Sequence, residues 1–233
     1  IANSQVFLDA NKNGKLDSSE PVTMSDGQGR YELNIDFPTF DKNNNGRIDP
    51  AEGQIVAIGG VDTATGLPLE TPVKSTPNAD VITLLTSLVT ELVGNGTDLE
   101  TANRQVAQAL GLPSDTPIAN LDPIAATDAI QGDGAITLGA MVKVQNSLTA
   151  LAGLLSGASA LDMAAITDVA IKILADRIQT GAVVNLTTKE DIQGLALAIS
   201  AAIADLDTSF DADTTDLLIP QIASTLAVAN TRV

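Results

Sequence analysis

The chain has 233 residues, with 29 Asp and Glu against 12 Lys and Arg, a net charge of -17, and neither Cys nor His. That composition excludes disulfides, thiol nucleophiles, Ser-His and Cys-His arrangements, and zinc sites of the usual kind. The charge repels nucleic acid phosphate and anionic lipid, and no apolar run approaches the roughly 18 residues needed to span a bilayer.

Ile1 starts in what reads as mid-strand, as expected of a piece of a longer protein. The short β-prone run Gln5-Val6-Phe7-Leu8 leads into Asp9-Ala10-Asn11-Lys12-Asn13-Gly14-Lys15-Leu16-Asp17-Ser18-Ser19-Glu20. This stretch fits D-x-[DN]-x-[DN]-G-x5-E at every specified position. So does Asp41-Lys42-Asn43-Asn44-Asn45-Gly46-Arg47-Ile48-Asp49-Pro50-Ala51-Glu52. A large hard cation takes six to eight oxygens at roughly 2.3–2.6 Å, so the chain must curl round it and present alternate side chains inward. The spacing therefore predicts two calcium sites. Asp9, Asn11, Asn13, Asp17 and Glu20 supply side-chain oxygens to the first, with Lys15 contributing its carbonyl; Asp41, Asn43, Asn45, Asp49 and Glu52 do so in the second, with the carbonyl of Arg47. Gly14 and Gly46 are expected where the curl is sharpest and a Cβ would be in the way. Magnesium fits poorly, because it prefers tight octahedral sites and keeps its water. A pair of ordinary Asn/Asp/Gly surface turns is the bland alternative.

An EF-hand places a helix on either side of such a loop. Here Pro21 and Val22-Thr23 follow the first, and Gln54-Ile55-Val56-Ala57-Ile58 follows the second, so both loops are expected on strands. Arg30-Tyr31-Glu32-Leu33-Asn34-Ile35 alternates as a half-buried strand does. Phe7, Tyr31, Phe37 and Phe40 are expected to build the small core of this β part; a carbohydrate-stacking face is the functional alternative. Residues 59–68 are turn-rich and end the β part or link it onward.

From Thr76 the period changes to that of helices. Val81, Leu84, Leu85, Leu88 and Leu92 form one apolar face that Gly94 stops. Thr97…Glu100, Ser159…Asp162 and Thr187…Glu190 read as helix starts. A long helix is expected over 138–155, a short one near 124–130, and a last one from Asp213, kinked or restarted at Pro220. The core of this bundle is aliphatic, with Phe210 its only aromatic. Its Leu and Ala stripes read as core in preference to partner-binding grooves.

Three further stretches carry weaker signals. Gln131-Gly132-Asp133-Gly134-Ala135-Ile136-Thr137 resembles the middle of a calcium loop, but Ala129 and Ala140 occupy its first and last ligand positions, so it reads as a turn. Asp205, Asp207, Asp211, Asp213 and Asp216 read as helix caps facing solvent, with a third ion as the alternative. Asp26 is a candidate extra oxygen for the first ion.

The run Val6-Phe7-Leu8-Asp9 through Glu20-Pro21, followed by Ser25-Asp26-Gly27-Gln28-Gly29-Arg30-Tyr31, resembles the SdrD B-like calcium-loop β-modules of bacterial surface proteins. The interval between the two motifs is shorter than in a full repeat. Residues 58–68 and the following Val81-Ile82-Thr83-Leu84-Leu85-Thr86 resemble segments of very large secreted bacterial and cyanobacterial proteins. The resemblance implies an extracellular adhesin, surface-layer or matrix protein as the parent, and carries the ligand roles to Asp9, Asn11, Asn13, Lys15, Asp17 and Glu20.

The sequence thus predicts an α+β chain: a small β part (1–77) with two EF-hand-like calcium loops, then an aliphatic bundle of five or six helices (78–233). The expected function is a non-enzymatic structural or adhesive module at the cell surface or outside the cell, with calcium rigidifying the β part. Affinity is expected at about 10⁻⁴–10⁻³ M, because Lys12, Lys15, Lys42 and Arg47 weaken the loops' field. The expected partners are the two calcium ions and a surface glycan, a protein or neighbouring domains of the parent; nucleic acid and membrane insertion are not expected. Two other readings stay open: calcium-dependent self-cleavage at Asp49-Pro50, and a peptide- or glycan-binding module.

Overall fold

The structure is a computed structural model that describes residues 1–63, 66, 68–128 and 132–233. Four strands, β1 (Gln5–Asp9), β2 (Val22–Met24), β3 (Gln54–Ile58) and β4 (Val73–Ser75), form one antiparallel sheet in the order β2-β1-β3-β4. The register pairs Val6 with Ala57, Leu8 with Ile55 and Ala57 with Val73. Directly opposed residues share a face, so these side chains line one side, where Ile48 joins them. Phe7, Val56 and Lys74 lie on the other.

Arg30–Ile35 departs from the strand expectation. Tyr31, Leu33 and Ile35 do alternate inward against the sheet core, but the segment joins no ladder among the described residues. Alternation records burial on one face and is silent on whether a strand lies alongside. The chain then forms a short helix, α1 (Phe37–Phe40), ahead of the second loop. The expected aromatic core is only partly present. Phe7 is fully buried, yet on the face away from the main apolar cluster, and Phe37 is exposed.

The helical region has α2 (Leu84–Gly94), α3 (Leu99–Ala109), α4 (Pro123–Asp128), α5 (Gly132–Ser156), α6 (Met163–Gln179), α7 (Lys189–Leu206) and α8 (Ala212–Asn230). With α1, that makes eight helices among the described residues, where five or six were expected. The surplus over the long helices comes from α1, which the sequence did not suggest and whose few residues carry little periodic signal, and from α4, which answers to the short helix expected near 124–130. The helices start near the expected Thr97, Ser159, Thr187 and Asp213, but the capping residues differ, and Thr188 opens α7 without a side-chain cap. Thr83 and Thr86 exchange side-chain-to-backbone hydrogen bonds in a capping box, while Asp98, Asp162 and Asp211 cap α3, α6 and α8. Pro220 lies inside α8 and does not divide it.

The turn expected over 131–137 is corrected: residues 132–137 are the first turns of α5, with Gly134 and Thr137 buried. Tertiary packing outweighs local propensity there. Ala129, Ile130 and Gln131, and Ala64, Thr65 and Leu67 of the turn-rich segment, lie outside the described residues. The acidic connection is a set of caps and braces. Asp207 accepts from Ser159 Oγ, Ala160 N and Ser209 N, and Asp216 from Ser200 Oγ. Hydrogen bonds from Ser209, then Ala160 and Ser159, hold the Asp207 carboxyl well below its ordinary value.

Sheet and bundle meet along β4. Its outer edge has helix side chains in place of a further strand: Ser87 Oγ accepts from Lys74 N at 2.8 Å, and Thr86 Oγ1 donates to Lys74 O at 2.7 Å. The buried Lys74 ammonium bridges Glu91 on α2 at 3.1 Å and Asp168 on α6 at 2.6 Å. Burial disfavours its charge, yet the two carboxylates prevail and raise its pKa above the ordinary 10.5. Among the described residues no helix is long and apolar enough to cross a membrane.

Candidate metal centre

Both acidic loops fold the same way. In the first, Asp9 Oδ1 accepts from Asn13 N at 3.0 Å and Asp9 Oδ2 from Gly14 N at 2.8 Å. In the second, Asp41 Oδ1 accepts from Asn45 N at 3.1 Å and Asp41 Oδ2 from Gly46 N at 2.8 Å. Asn11 and Asn13 each accept from the backbone N–H two residues on, and so do Asn43 and Asn45. The closing glutamates repeat this agreement. Glu20 accepts from Ala10 N and Asp17 N, and Glu52 from Lys42 N, Asn43 N and Asp49 N.

The ninth position completes each ring. Asp17 Oδ2 accepts both Asn11 Nδ2 and Asn13 Nδ2, at 2.6 and 2.9 Å. Asp49 Oδ2 accepts Asn43 Nδ2 and Asn45 Nδ2, at 2.8 and 2.7 Å. Asp49 also pairs with Arg47 Nε at 3.0 Å, and the Asn43, Asn45 and Arg47 contacts together hold its carboxyl below the ordinary range. The carboxylate before Pro50 is thereby engaged by three neighbours. Lys15 and Arg47, predicted through their carbonyls, hold their loops with backbone N–H groups that donate to Asn13 and Asn45.

The backbone explains the two glycines differently from expectation. Gly14 and Gly46 have φ of +74° and +82°, while the place of a Cβ is open at both. Left-handed geometry selects glycine there, not crowding. Lys12 and Asn44, two residues earlier, also have positive φ, at 59° and 56°. The loops therefore agree in backbone at their fourth and sixth positions as well as in hydrogen bonding.

Asp9 is fully buried, and Glu20 and Asp41 nearly so. None of Asp9, Glu20, Asp41 or Glu52 forms an ion pair among the described residues. Buried carboxylates are ordinarily paired or bound to metal. The donor set of each loop is all oxygen, part charged and part neutral, which suits a hard cation such as calcium. No group of three or more His, Cys, Asp or Glu is gathered closely enough to hold an ion by itself among the described residues; in each loop two asparagine amides hydrogen-bond to the ninth-position carboxylate.

Asp26 serves its own turn. It accepts from Gln28 N and Arg30 N and pairs with the Arg30 guanidinium at 3.0 Å; these contacts, led by the Arg30 backbone hydrogen bond, lower its pKa. Two residues at the centre were not expected to belong to it. Gln54 donates from Nε2 to Asp9 Oδ2 at 2.8 Å, and Asn78 donates to Ile48 O at 3.2 Å. Gln54 carries one sequence signal, as the single polar residue of a β-branched and apolar run directly after a loop. Comparison of the chain with protein-family models, curated proteins and solved structures gives no match.

Proposed function

We propose that the chain is a non-enzymatic calcium-binding structural or adhesive module of a secreted or cell-surface bacterial protein. Two calcium ions, one in each loop, brace the β part (1–77) where it meets the bundle (78–233). The reading is carried by one observation: two loops separated in sequence share one pattern of carboxylate, amide and backbone hydrogen bonds, position by position. In the first loop Asp9, Asn11, Asn13, Asp17, Glu20 and the Lys15 carbonyl hold the ion; in the second, Asp41, Asn43, Asn45, Asp49, Glu52 and the Arg47 carbonyl.

Calcium supplies each loop with a double positive charge; among the described residues only Arg47, paired with Asp49, brings a basic side chain of the loops onto a loop carboxylate. Without it three carboxylates in each loop repel one another, and the binding free energy is missing from the folded state. The second loop also carries the brace inward, since Ile48 is buried in the sheet core and its carbonyl is held by Asn78 ahead of α2. Neighbouring domains of the parent, or a surface glycan or protein, are the partners such a module presents itself to. The non-enzymatic reading rests on a sequence without Cys or His, which leaves neither thiol nor imidazole for catalysis.

Isothermal titration with calcium tests the proposal. Uptake of two ions at about 10⁻⁴–10⁻³ M, with protection of residues 1–77 from protease, is the expected result. No uptake, or equal protease sensitivity in calcium and chelator, overturns it.

A further inference from the structure

The two loops meet at one rung of the sheet. β1 ends on Asp9, the first residue of the first loop, and β3 begins on Gln54, two residues after Glu52 closes the second. The register sets Asp9 directly opposite Gln54. Both are buried, at 0% and 7% exposure, and the Gln54 amide reaches Asp9 Oδ2 at 2.8 Å. Gly53 brings the main chains together: a Cβ there would lie 2.9 Å from Leu8 Cδ1, 3.2 Å from Asp9 O and 3.3 Å from Ala10 Cα. Ala10, on the far side of that contact, is the residue whose N–H Glu20 grips. Glu20 thus grips backbone beside the point where Gly53, the residue after Glu52, packs.

The arrangement is not symmetrical. Among the described residues Asp41 accepts only N–H groups of its own loop, whereas Asp9 takes a donor from the chain leaving the other loop. We propose that Gln54 is a positioning residue linking the two ion sites, so that filling one loop raises the affinity of the other. This inference rests on the calcium reading above. An ion in the second loop fixes Glu52, and with it Gly53 and Gln54; the amide then stands ready on Asp9, and the first loop has less ordering left to do when its ion enters. Partners that orient a ligating carboxylate typically change metal affinity about 10–100-fold when removed. Linkage requires the first loop to strengthen the second by the same factor.

The test uses the whole chain, titrated with calcium and followed at the amide resonances of Gly14 and Gly46, which report the loops separately. Glu52→Gln is expected to weaken calcium binding in the first loop at least about fivefold, and Glu20→Gln to weaken the second by the same factor. Gln54→Met keeps the side chain's length and removes its donor. In that background Glu52→Gln is expected to leave the first loop's affinity unchanged, an outcome that a merely structural role for Gln54 does not produce. The reciprocal comparison of Glu20→Gln with Glu52→Gln stands even if Gln54→Met does not fold. First-loop affinity unchanged by Glu52→Gln, with two ions still bound by the unsubstituted chain, overturns the coupling and leaves the calcium reading intact. Failure of the unsubstituted chain to take up calcium overturns both.

Discussion

Among the described residues, 33 buried apolar side chains of the helical bundle form one continuous cluster, while the sheet gathers six. The bundle cluster is built from Leu, Ile, Val and Ala with Phe210 at its margin, and most members are wholly out of water. Around the sheet, the carboxylates of Asp9, Glu20 and Asp41 and the Gln54 amide are buried as well. A core of six residues falls short of what an independent domain needs, and small folds of this kind draw on metal, disulfide or docking for the rest. Cys is absent; the sheet docks along β4 onto α2 and α6, and the proposed calcium would add to that. The difference teaches that stability in the two regions should answer to different variables: side-chain volume in one, charge and cation in the other.

The sharpest test of that contrast is Leu148→Ala at the bundle centre, where the side chain is 2% exposed. A loss of about 2–5 kcal/mol is expected, equal in calcium and in chelator, as read by urea unfolding followed by circular dichroism. A loss that depends on calcium would mean that the two regions unfold as one. Lys74→Met attacks the junction. It leaves Glu91 without its cation, while Asp168, 34% exposed, keeps Lys172 at 2.6 Å. Removing one partner of a buried pair costs about 3–5 kcal/mol, and the exposure and surviving partner of Asp168 reduce this to about 2–3. Hydrogen exchange should then show β4 opening ahead of α5.

Calcium itself comes next. At about 10 mM, sites of 10⁻⁴–10⁻³ M contribute about 1.4–2.7 kcal/mol each, visible as slower exchange in residues 1–77 and not at Leu148 or Ile171. Thr83→Ala removes the capping box where the chain passes from sheet to bundle, and is expected to cost about 1 kcal/mol, measured as a lower urea midpoint without calcium dependence. Acid gives the smallest effect near neutrality. Burial works against it, but Lys74 and Lys172 hold Asp168 below its ordinary 3.8. A lowered carboxyl contributes stability above its unfolded value and loses it as pH falls through the folded one. The junction should therefore hold at neutral pH and weaken only below 3.8. Lys74, raised above 10.5, loses its contribution only as pH climbs past that value. Unfolding midpoints that move between neutrality and mild acid would contradict both assignments.

Much of this was legible in the chain because it is local. The loop motif and the hydrogen bonds that close it lie within twelve residues of one another, so spacing alone specifies which residues gather there, though not the left-handed backbone that selects Gly14 and Gly46. The apolar face of α2 and the cap at Asp211 are likewise decided within a few turns. Arg30–Ile35 shows the limit: its alternation was readable, but a ladder needs a partner that the alternation does not name. The opening of α5 failed for a related reason, since Gly132, Asp133 and Gly134 favour a turn until packing makes a helix of them.

The sequence by itself determined the residues that ring each loop, the aliphatic character of the bundle and the change of period from two to 3.6. Only the tertiary structure decided that the loops share a rung through Gln54 and Asp9, 45 residues apart, and that Lys74 reaches Asp168, 94 residues away. The reason is physical. Ligand spacing, caps and periodicity are properties of neighbouring backbone, whereas register and the choice of a charge's partner depend on which surfaces the folded chain presses together.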